Sequence, residues 1–332
     1  MKIGYLGAGS WGYALAALLA GKGHRVVVWT TSEELADVLN TKKEHPKLPH
    51  FKVSGDLHVT TNLREVLHGI DLLVESVTSM GIRPVFEQVL ISEWNRCPCV
   101  VTSKGIEQNS GLLLPEVILE VLGAEARPLI GCLSGPSHAE EVVQQLPTAV
   151  VASAYDPFVM QKIMETFTTP FFRVYPNMDM HGVSFGGAMK NIIAIACGLS
   201  DGLGFGDNTK AALMTRGLHE MKKLSVVKAC QTETLNGLSG LGDICVTCLS
   251  KFSRNYAFGR LIAQGLDPQK AKEKIGMVVE GAYSCLSALQ LGRREKIPAP
   301  ITEAVYSILY ENLDPREAVR SLLVRAIKEE HL

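Results

Sequence analysis

Net charge is almost absent from this chain: 33 Lys and Arg stand against 34 Asp and Glu in 332 residues, a formal net charge of −1. A near-neutral chain has no broad attraction for nucleic acid or for an anionic membrane, so any anion it binds must be held by local placement. Long apolar runs are also missing. The longest wholly apolar stretch falls far short of the roughly 18 to 20 residues of a membrane span, so no membrane insertion is expected. No repeat or low-complexity tract stands out, and 46% hydrophobic with 20% charged residues is a globular composition. The eight cysteines (Cys97, Cys99, Cys132, Cys197, Cys230, Cys245, Cys248 and Cys285) lie mostly in apolar stretches and lack the spacing of a small disulfide scaffold. That usage suits a reducing compartment, and a cytoplasmic location is expected. Cys245 and Cys248 have metal or redox spacing, but no second pair or His-x-His accompanies them; a buried helix turn is the better reading, and no metal is expected.

What is present begins at the first strand. Ile3 to Leu6 runs straight into Gly7-Ala8-Gly9-Ser10-Trp11-Gly12, a complete G-x-G-x-x-G with a helical stretch beginning near Tyr13. Strand before and helix after make this a dinucleotide site. Gly7 permits the tight turn, Gly9 lets a pyrophosphate approach the backbone, and Gly12 lets the helix pack close to the sheet, while N–H groups at the helix N-terminus supply an anion site. Lys2 followed by apolar residues and Ala14 to Ala20 imitates a short secretory signal, but cleavage there would remove the glycine turn.

At this length two domains are expected. Strand-like runs at Ile3 to Leu6, Arg25 to Trp29, Val59 to Thr61, Asp71 to Val77, Val100 to Ser103, Pro128 to Leu133, Ala149 to Ala152 and Phe171 to Tyr175 alternate with amphipathic segments. Those segments are Ser32 to Asn40, Asn62 to His68, Ile82 to Trp94, Leu112 to Leu122 and Asp156 to Phe167. Such alternation predicts an α/β fold: a doubly wound, Rossmann-type parallel sheet over residues 1–179, with ligands beyond the carboxyl ends of its strands. After Pro176 only helical periods remain, so residues 180–332 are expected to form an all-α, substrate-binding domain. The polar stretch Lys42 to Pro49 reads as a solvated loop.

Several side chains suit chemistry at that sheet edge. Trp29 is followed by Thr30, Thr31 and Ser32, with no carboxylate before Glu33 to bind a ribose 2′-hydroxyl and no Arg to grip a 2′-phosphate. Use of both NADH and NADPH is therefore expected. Lys104 ends a strand before Gly105 and is either a ligand-facing lysine or a solvated one. Ser137, in Ser134-Gly135-Pro136-Ser137, can line the crevice or cap the helix holding Ala139 and Glu140. Lys190 is the only Lys, Arg, Asp or Glu between Met180 and Ser200, in a helix apolar on nearly every side and preceded by Gly186-Gly187-Ala188. Burial lowers a lysine's pKa and suits it to proton transfer near neutrality; a structural ion pair is the plainer alternative. A charge of this kind has no use in a silent dinucleotide sensor. Asp243, the only charge between Asn236 and Ser250, can cap the following helix or orient a lysine or a substrate hydroxyl. Ser253-Arg254-Asn255 brings a hydroxyl, a guanidinium fork and an amide together, an inventory for a phosphate or for a polar surface turn.

Taken together these segments resemble the bacterial NAD(P)-dependent sn-glycerol-3-phosphate dehydrogenase family over nearly the whole chain. The resemblance rests on the glycine turn at 7, Ser103-Lys104-Gly105, Ser134-Gly135-Pro136-Ser137 and Gly186 through Asn191. It continues in Ser200 through Gly206, Thr215-Arg216-Gly217, Gly240-Leu241-Gly242-Asp243, Ser253-Arg254-Asn255, Val278-Val279-Glu280-Gly281 and Pro300 through Glu303. It implies that Lys190 is the general acid and base, and that Lys104, Gly135, Ser137, Asp243, Ser253, Arg254 and Asn255 contact substrate. It further implies that Ser10, Trp11, Thr31, Lys104, Ala139, Arg254, Val278 and Glu280 border NAD(P)H. The implied reaction interconverts dihydroxyacetone phosphate and sn-glycerol 3-phosphate for phospholipid synthesis, in a homodimer; a related two-domain reductase of a hydroxy acid or sugar phosphate is the nearest rival. Two departures are visible. Ser76-Val77-Thr78-Ser79 lacks the usual proline, so the nicotinamide-side loop is expected to differ, and Ser-Gly-Pro-Ser-His replaces a commoner Thr-Phe while Ser137 keeps the hydroxyl.

Overall fold

A computed structural model describes every residue except 93, 327, 328, 331 and 332. Residue 93 of the helix expected over Ile82 to Trp94, and residues 327, 328, 331 and 332 of the expected second domain, thus lie outside the described residues. Eight strands form one sheet in the order β3-β2-β1-β4-β5-β6-β7-β8. They are β1 (Lys2–Leu6), β2 (Arg25–Trp29), β3 (Leu57–Thr60), β4 (Leu72–Glu75), β5 (Cys99–Val101), β6 (Ile130–Ser134), β7 (Thr148–Ala154) and β8 (Phe172–Pro176). The order reverses between β1 and β4, which places the crevice beyond their carboxyl ends.

Alternation along the strands assigns the two faces. Ile3, Tyr5, Val26 and Val28 pack under the helices Ser10–Gly21 and Pro157–Phe167. Leu6, Val27, Trp29 and Leu73 face the helices Ile82–Ile91 and Leu114–Leu122. Both faces are therefore covered, as near-continuous apolar strands require.

One expectation fails. The sheet is mixed rather than parallel: β7 runs antiparallel to β6, with Ser134 opposite Val151 and Gly131 opposite Ala154, and β8 runs parallel to β7. The connection from β6 to β7 carries only the short helix Ala139–Val143, and the strand turns back beside its neighbour instead of crossing over.

After β8 the chain is helical among the described residues. The 23-residue helix Met180–Gly202, called the core helix below, is the axis of the second half. It is long and apolar enough to cross a membrane, but 94% of its most apolar window is buried within the protein. Its first turns are shared with the sheet, where Met180 and Val183 join the core under β5 and β6. From Phe185 onward it packs among the helices of the second half.

Candidate active site

The glycine turn is shaped for a ligand. Gly7 has φ of 101°, and a Cβ there would lie 2.6 Å from the Ser76 carbonyl oxygen. A Cβ on Gly12 would lie 2.3 Å from the Gly7 carbonyl oxygen, so the helix sits as close to the strand as the chain allows. Gly9 differs, because nothing lies within 4 Å of where its Cβ would be. That open side faces the N-terminus of helix Ser10–Gly21, which has neither a side-chain cap nor an acid in its first turn. Backbone N–H groups there are left for an anion. Ser10 Oγ is buried without a hydrogen-bond partner. Open glycine, uncapped helix and orphaned hydroxyl together fit a pyrophosphate.

At the end of β2 the Ser32 hydroxyl accepts from Leu35 N at 3.1 Å and caps the helix Glu33–Lys42, so it is committed to structure. Thr31 is exposed and lies off the wall of the cleft described below. The stretch Lys42 to Pro49 is exposed along most of its length, as its polarity predicts, but His45 and Leu48 turn inward. His45 is buried, with Nε2 3.1 Å from the Ala8 carbonyl oxygen and its ring tilted against Tyr13. Lys47 Nζ donates to the Gly276 carbonyl at 3.0 Å and ties this segment to the helical half. Histidine, proline and lysine here are wall, not linker.

The central feature is a carboxylate between two lysines. Lys190 Nζ donates to Asp243 Oδ1, and Lys104 Nζ donates to Asp243 Oδ2 at 2.6 Å. Asp243 is fully buried, on the first turn of helix Asp243–Leu249. Its side chain is occupied by the lysines and does not cap that helix. Lys104 also donates to the Gly135 carbonyl at 3.0 Å, and Lys190 to Thr247 Oγ1 at 2.9 Å. Burial pushes the Lys190 ammonium down to about 8; the Lys104 charge acts in the same direction and the Asp243 charge opposes it. Glycines admit these partners: a Cβ on Gly187 would meet Ser134 Oγ at 2.6 Å, and one on Gly186 would meet the Ser239 carbonyl oxygen at 2.4 Å.

These groups open on a cleft of about 580 Å³. Of the residues singled out in the sequence, Gly9, Ser10, Trp11, Gly12, Lys104, Ser137, Ala139, Lys190, Ser253, Arg254, Asn255, Val278 and Glu280 line it. Gly7, Gly135 and Asp243 stand behind the wall: Gly7 under the turn, Gly135 through its carbonyl on Lys104, Asp243 behind both lysines. Ser137 Oγ donates to the Gly135 carbonyl at 3.0 Å, while His138 occupies the cap position of helix Ala139–Val143. Ser253 caps the helix Arg254–Ala263 through Tyr256 N. Arg254, the first residue of that helix, is exposed at the cleft and reaches the Val278 carbonyl at 3.3 Å. Asn255 is buried, donates to Asn191 Oδ1 at 2.9 Å and accepts from Gly281 N at 2.9 Å, clasping three helices beside the cleft. Glu280 accepts from Ser79 N and Ser79 Oγ, and burial raises its pKa.

Thr247 and Asn191 were not legible as site residues. Thr247 carried one usable signal, its i+4 spacing from Asp243 on a helix, which puts both on one face. Asn191 follows Lys190 directly in an otherwise apolar helix.

A phosphate-cradling turn at the switch point, opposite a buried lysine held by a carboxylate, defines a dinucleotide-dependent oxidoreductase with its reaction at the sheet's carboxyl edge. The chain belongs to the NAD-dependent glycerol-3-phosphate dehydrogenase family, whose N-terminal model matches residues 2–159 and whose C-terminal model matches residues 179–320. It is 60% identical over 331 residues to the glycerol-3-phosphate dehydrogenase [NAD(P)+] of Protochlamydia amoebophila, covering 100% of this chain and 99% of that protein. The crystal structure of glycerol-3-phosphate dehydrogenase from Coxiella burnetii superimposes with a TM-score of 0.93 at 38% identity, over 98% of this chain and 99% of that one. The glycerol-3-phosphate dehydrogenase of Saccharomyces cerevisiae does so at 0.80 and 25%, over 96% and 98%.

Proposed function

We propose that this chain interconverts dihydroxyacetone phosphate and sn-glycerol 3-phosphate with NAD(P)H, as a cytoplasmic homodimer that feeds glycerophospholipid synthesis. The observation that carries the reading is the Lys190–Asp243–Lys104 cluster opening on the same cleft as the glycine turn. When bound, the reduced nicotinamide supplies a hydride to the carbonyl carbon of the ketone. Lys190 Nζ gives a proton to the carbonyl oxygen, so hydride and proton together make the alcohol; in the reverse direction the neutral amine takes the proton back. Asp243 keeps that ammonium charged in a buried site and fixes its direction. Lys104, held by the other carboxylate oxygen, adds positive charge where the oxygen becomes negative. Arg254, at the cleft opening, grips the substrate phosphate, and that remote contact aligns the reacting carbon. Ser137 stands where its hydroxyl can meet the substrate.

The test is loss of NADH absorbance when dihydroxyacetone phosphate is added to purified protein, with Lys190→Ala in parallel. Removing a general acid costs about a hundredfold to ten-thousandfold, so the variant should fall by at least the lower figure while still binding NADH. Equal activity ends the assignment of Lys190. Unphosphorylated dihydroxyacetone should lose most of the turnover; if it does not, the phosphate is not being read.

A further inference from the structure

A second buried acid lies beneath the cleft. Glu75 ends β4, between β1 and β5, and is fully buried. Oε1 accepts from Val77 N at 2.5 Å and lies 2.7 Å from Ser103 Oγ, which is itself 2.5 Å from the Val77 carbonyl oxygen. Oε2 is buried with no hydrogen-bond partner. Around this core the hydroxyls of Tyr5, Ser76 and Thr102 form a chain at 2.7 and 2.5 Å, ending on the Glu75 carbonyl at 2.8 Å.

The protons in this arrangement can be counted. Ser103 has one hydroxyl proton and two acceptors, Glu75 Oε1 and the Val77 carbonyl. With an ionised Glu75 one of those oxygen pairs would meet lone pair to lone pair. With a neutral acid the ring closes: Glu75 donates to Ser103, Ser103 donates to the Val77 carbonyl, and Val77 N–H donates to Glu75. Burial pushes the Glu75 carboxyl up to about 8, against the hydrogen bonds of Ser103 and Val77, which pull it down, and the nearby Glu280 charge adds a smaller push upward. The other end of the same segment is held by that second acid, since Ser79 Oγ donates to Glu280 Oε2 at 2.5 Å.

The tied segment is placed to matter. Ser76, Val77 and Thr78 line the cleft, as do Thr102, Ser103 and Lys104. Ser76 abuts Gly7 of the phosphate turn, and Ser103 immediately precedes Lys104. Any dinucleotide whose pyrophosphate lies on Gly9 and whose reactive ring reaches Lys190 must cross this segment.

We propose that Glu75 is a positioning residue for hydride transfer, fixing the 76–79 segment and Ser103 against the nicotinamide end of the cofactor. This rests on the reading of the chain as a nicotinamide-dependent reductase. The experiment uses the intact protein with Glu75→Leu, Glu75→Gln and Ser103→Ala, and measures kcat together with affinity for NADH and for ADP-ribose, which lacks the nicotinamide. A misplacement near 1 Å costs about a hundredfold, so Glu75→Leu should lose about tenfold to a hundredfold in kcat and Ser103→Ala a smaller factor in the same direction. Both should bind NADH more weakly, while ADP-ribose, which has no ring to meet this segment, should lose a clearly smaller factor, although Ser76 abuts the phosphate turn. Glu75→Gln keeps an acceptor for Val77 N–H and should rescue kcat. A merely structural residue would weaken both ligands equally. The proposal is overturned if kcat and NADH affinity in Glu75→Leu stay at wild-type values, or, where that variant does not fold, if they do so in Ser103→Ala. Comparing NADH with ADP-ribose involves no substrate, so a wild type that ignores dihydroxyacetone phosphate would sink the functional reading without touching this one.

Discussion

Replacing Asp243 by Asn leaves the shape of the lysine cluster nearly intact and removes the one negative charge that holds it. In the native site burial has already brought the Lys190 ammonium down to about 8, against the pull of Asp243. An opposite charge in direct contact supports the charged form by about one to three pKa units, so Asp243→Asn should bring Lys190 down to between about 5 and about 7. If Lys190 is the proton donor as proposed, reduction of the ketone needs its protonated form, so the activity lies below the lysine pKa and is lost as pH rises through it. At pH 8 about half of the native lysine is protonated, but only roughly a tenth to a thousandth in the variant, a deficit of about fivefold to five-hundredfold from protonation alone. Near pH 6 the native lysine is almost fully protonated and the same calculation leaves a deficit of about tenfold or less. The assay is the initial rate of NADH oxidation at saturating dihydroxyacetone phosphate from about pH 5 to about pH 10, wild type against variant. The deficit should widen between acid and alkaline pH, and the alkaline limb should move down the pH axis. A deficit constant across the range would mean that Asp243 only places the lysines; an unshifted alkaline limb would refute the electrostatic account of Lys190.

Three further outcomes are expected. Arg254→Ala should raise KM for dihydroxyacetone phosphate with NADH affinity less altered, and a pure cofactor defect in steady-state kinetics would reassign this arginine to the nucleotide. Gly186→Ala puts a Cβ 2.4 Å from the Ser239 carbonyl oxygen on the segment leading to Asp243; overpacking of this kind costs about 1 to 3 kcal/mol, read as a lower denaturation midpoint, and an unchanged midpoint would show that the segment yields freely. With hydroxyls rather than a carboxylate at the end of β2, both NADH and NADPH should serve, and a kcat/KM preference above about a thousandfold for either would contradict that.

How much of this was legible in the sequence depends on how locally each feature is encoded. The strands were found within a few residues because runs such as Arg25 to Trp29 are apolar and bounded by turn residues. The direction of β7 was hidden, because a strand's own pattern says nothing about whether its neighbour runs with or against it. The glycine turn and Lys190 stood out as violations of their surroundings: glycines where a helix begins, a charge where a helix is buried. Asp243 was visible for the same reason, although its position behind the lysines was not. Thr247 and Asn191 lacked such contrast, since a hydroxyl or an amide inside an apolar helix reads as ordinary core. His45 misled in the opposite sense: its exposed polar neighbours suggested solvent, while it is itself held against the glycine turn by Ala8 and Tyr13, contacts far apart in sequence. Glu75, a lone acid at the end of the apolar run Leu72 to Val74, carries the same contrast.

The reversal of β7 and β8 decides where Lys190 stands. Because β8 runs against β6, the chain leaves the sheet heading away from the cleft, and the core helix then climbs back in the direction of β6. Ser184 lies beside Cys132, Gly187 beside Ser134, and Lys190 falls one turn past the strand's end. At about 1.5 Å per residue that places the Lys190 backbone about 4.5 Å beyond the strand tip, and its ammonium shares Asp243 with Lys104. Lys190 is thus measured off against the nucleotide-binding half, as a mark on a ruler laid along β6, while Asp243 and Thr247 hold it from the helical half. One residue inserted between Ser184 and Lys190 would swing Lys190 about 100° around the helix relative to β6 and take it away from Lys104.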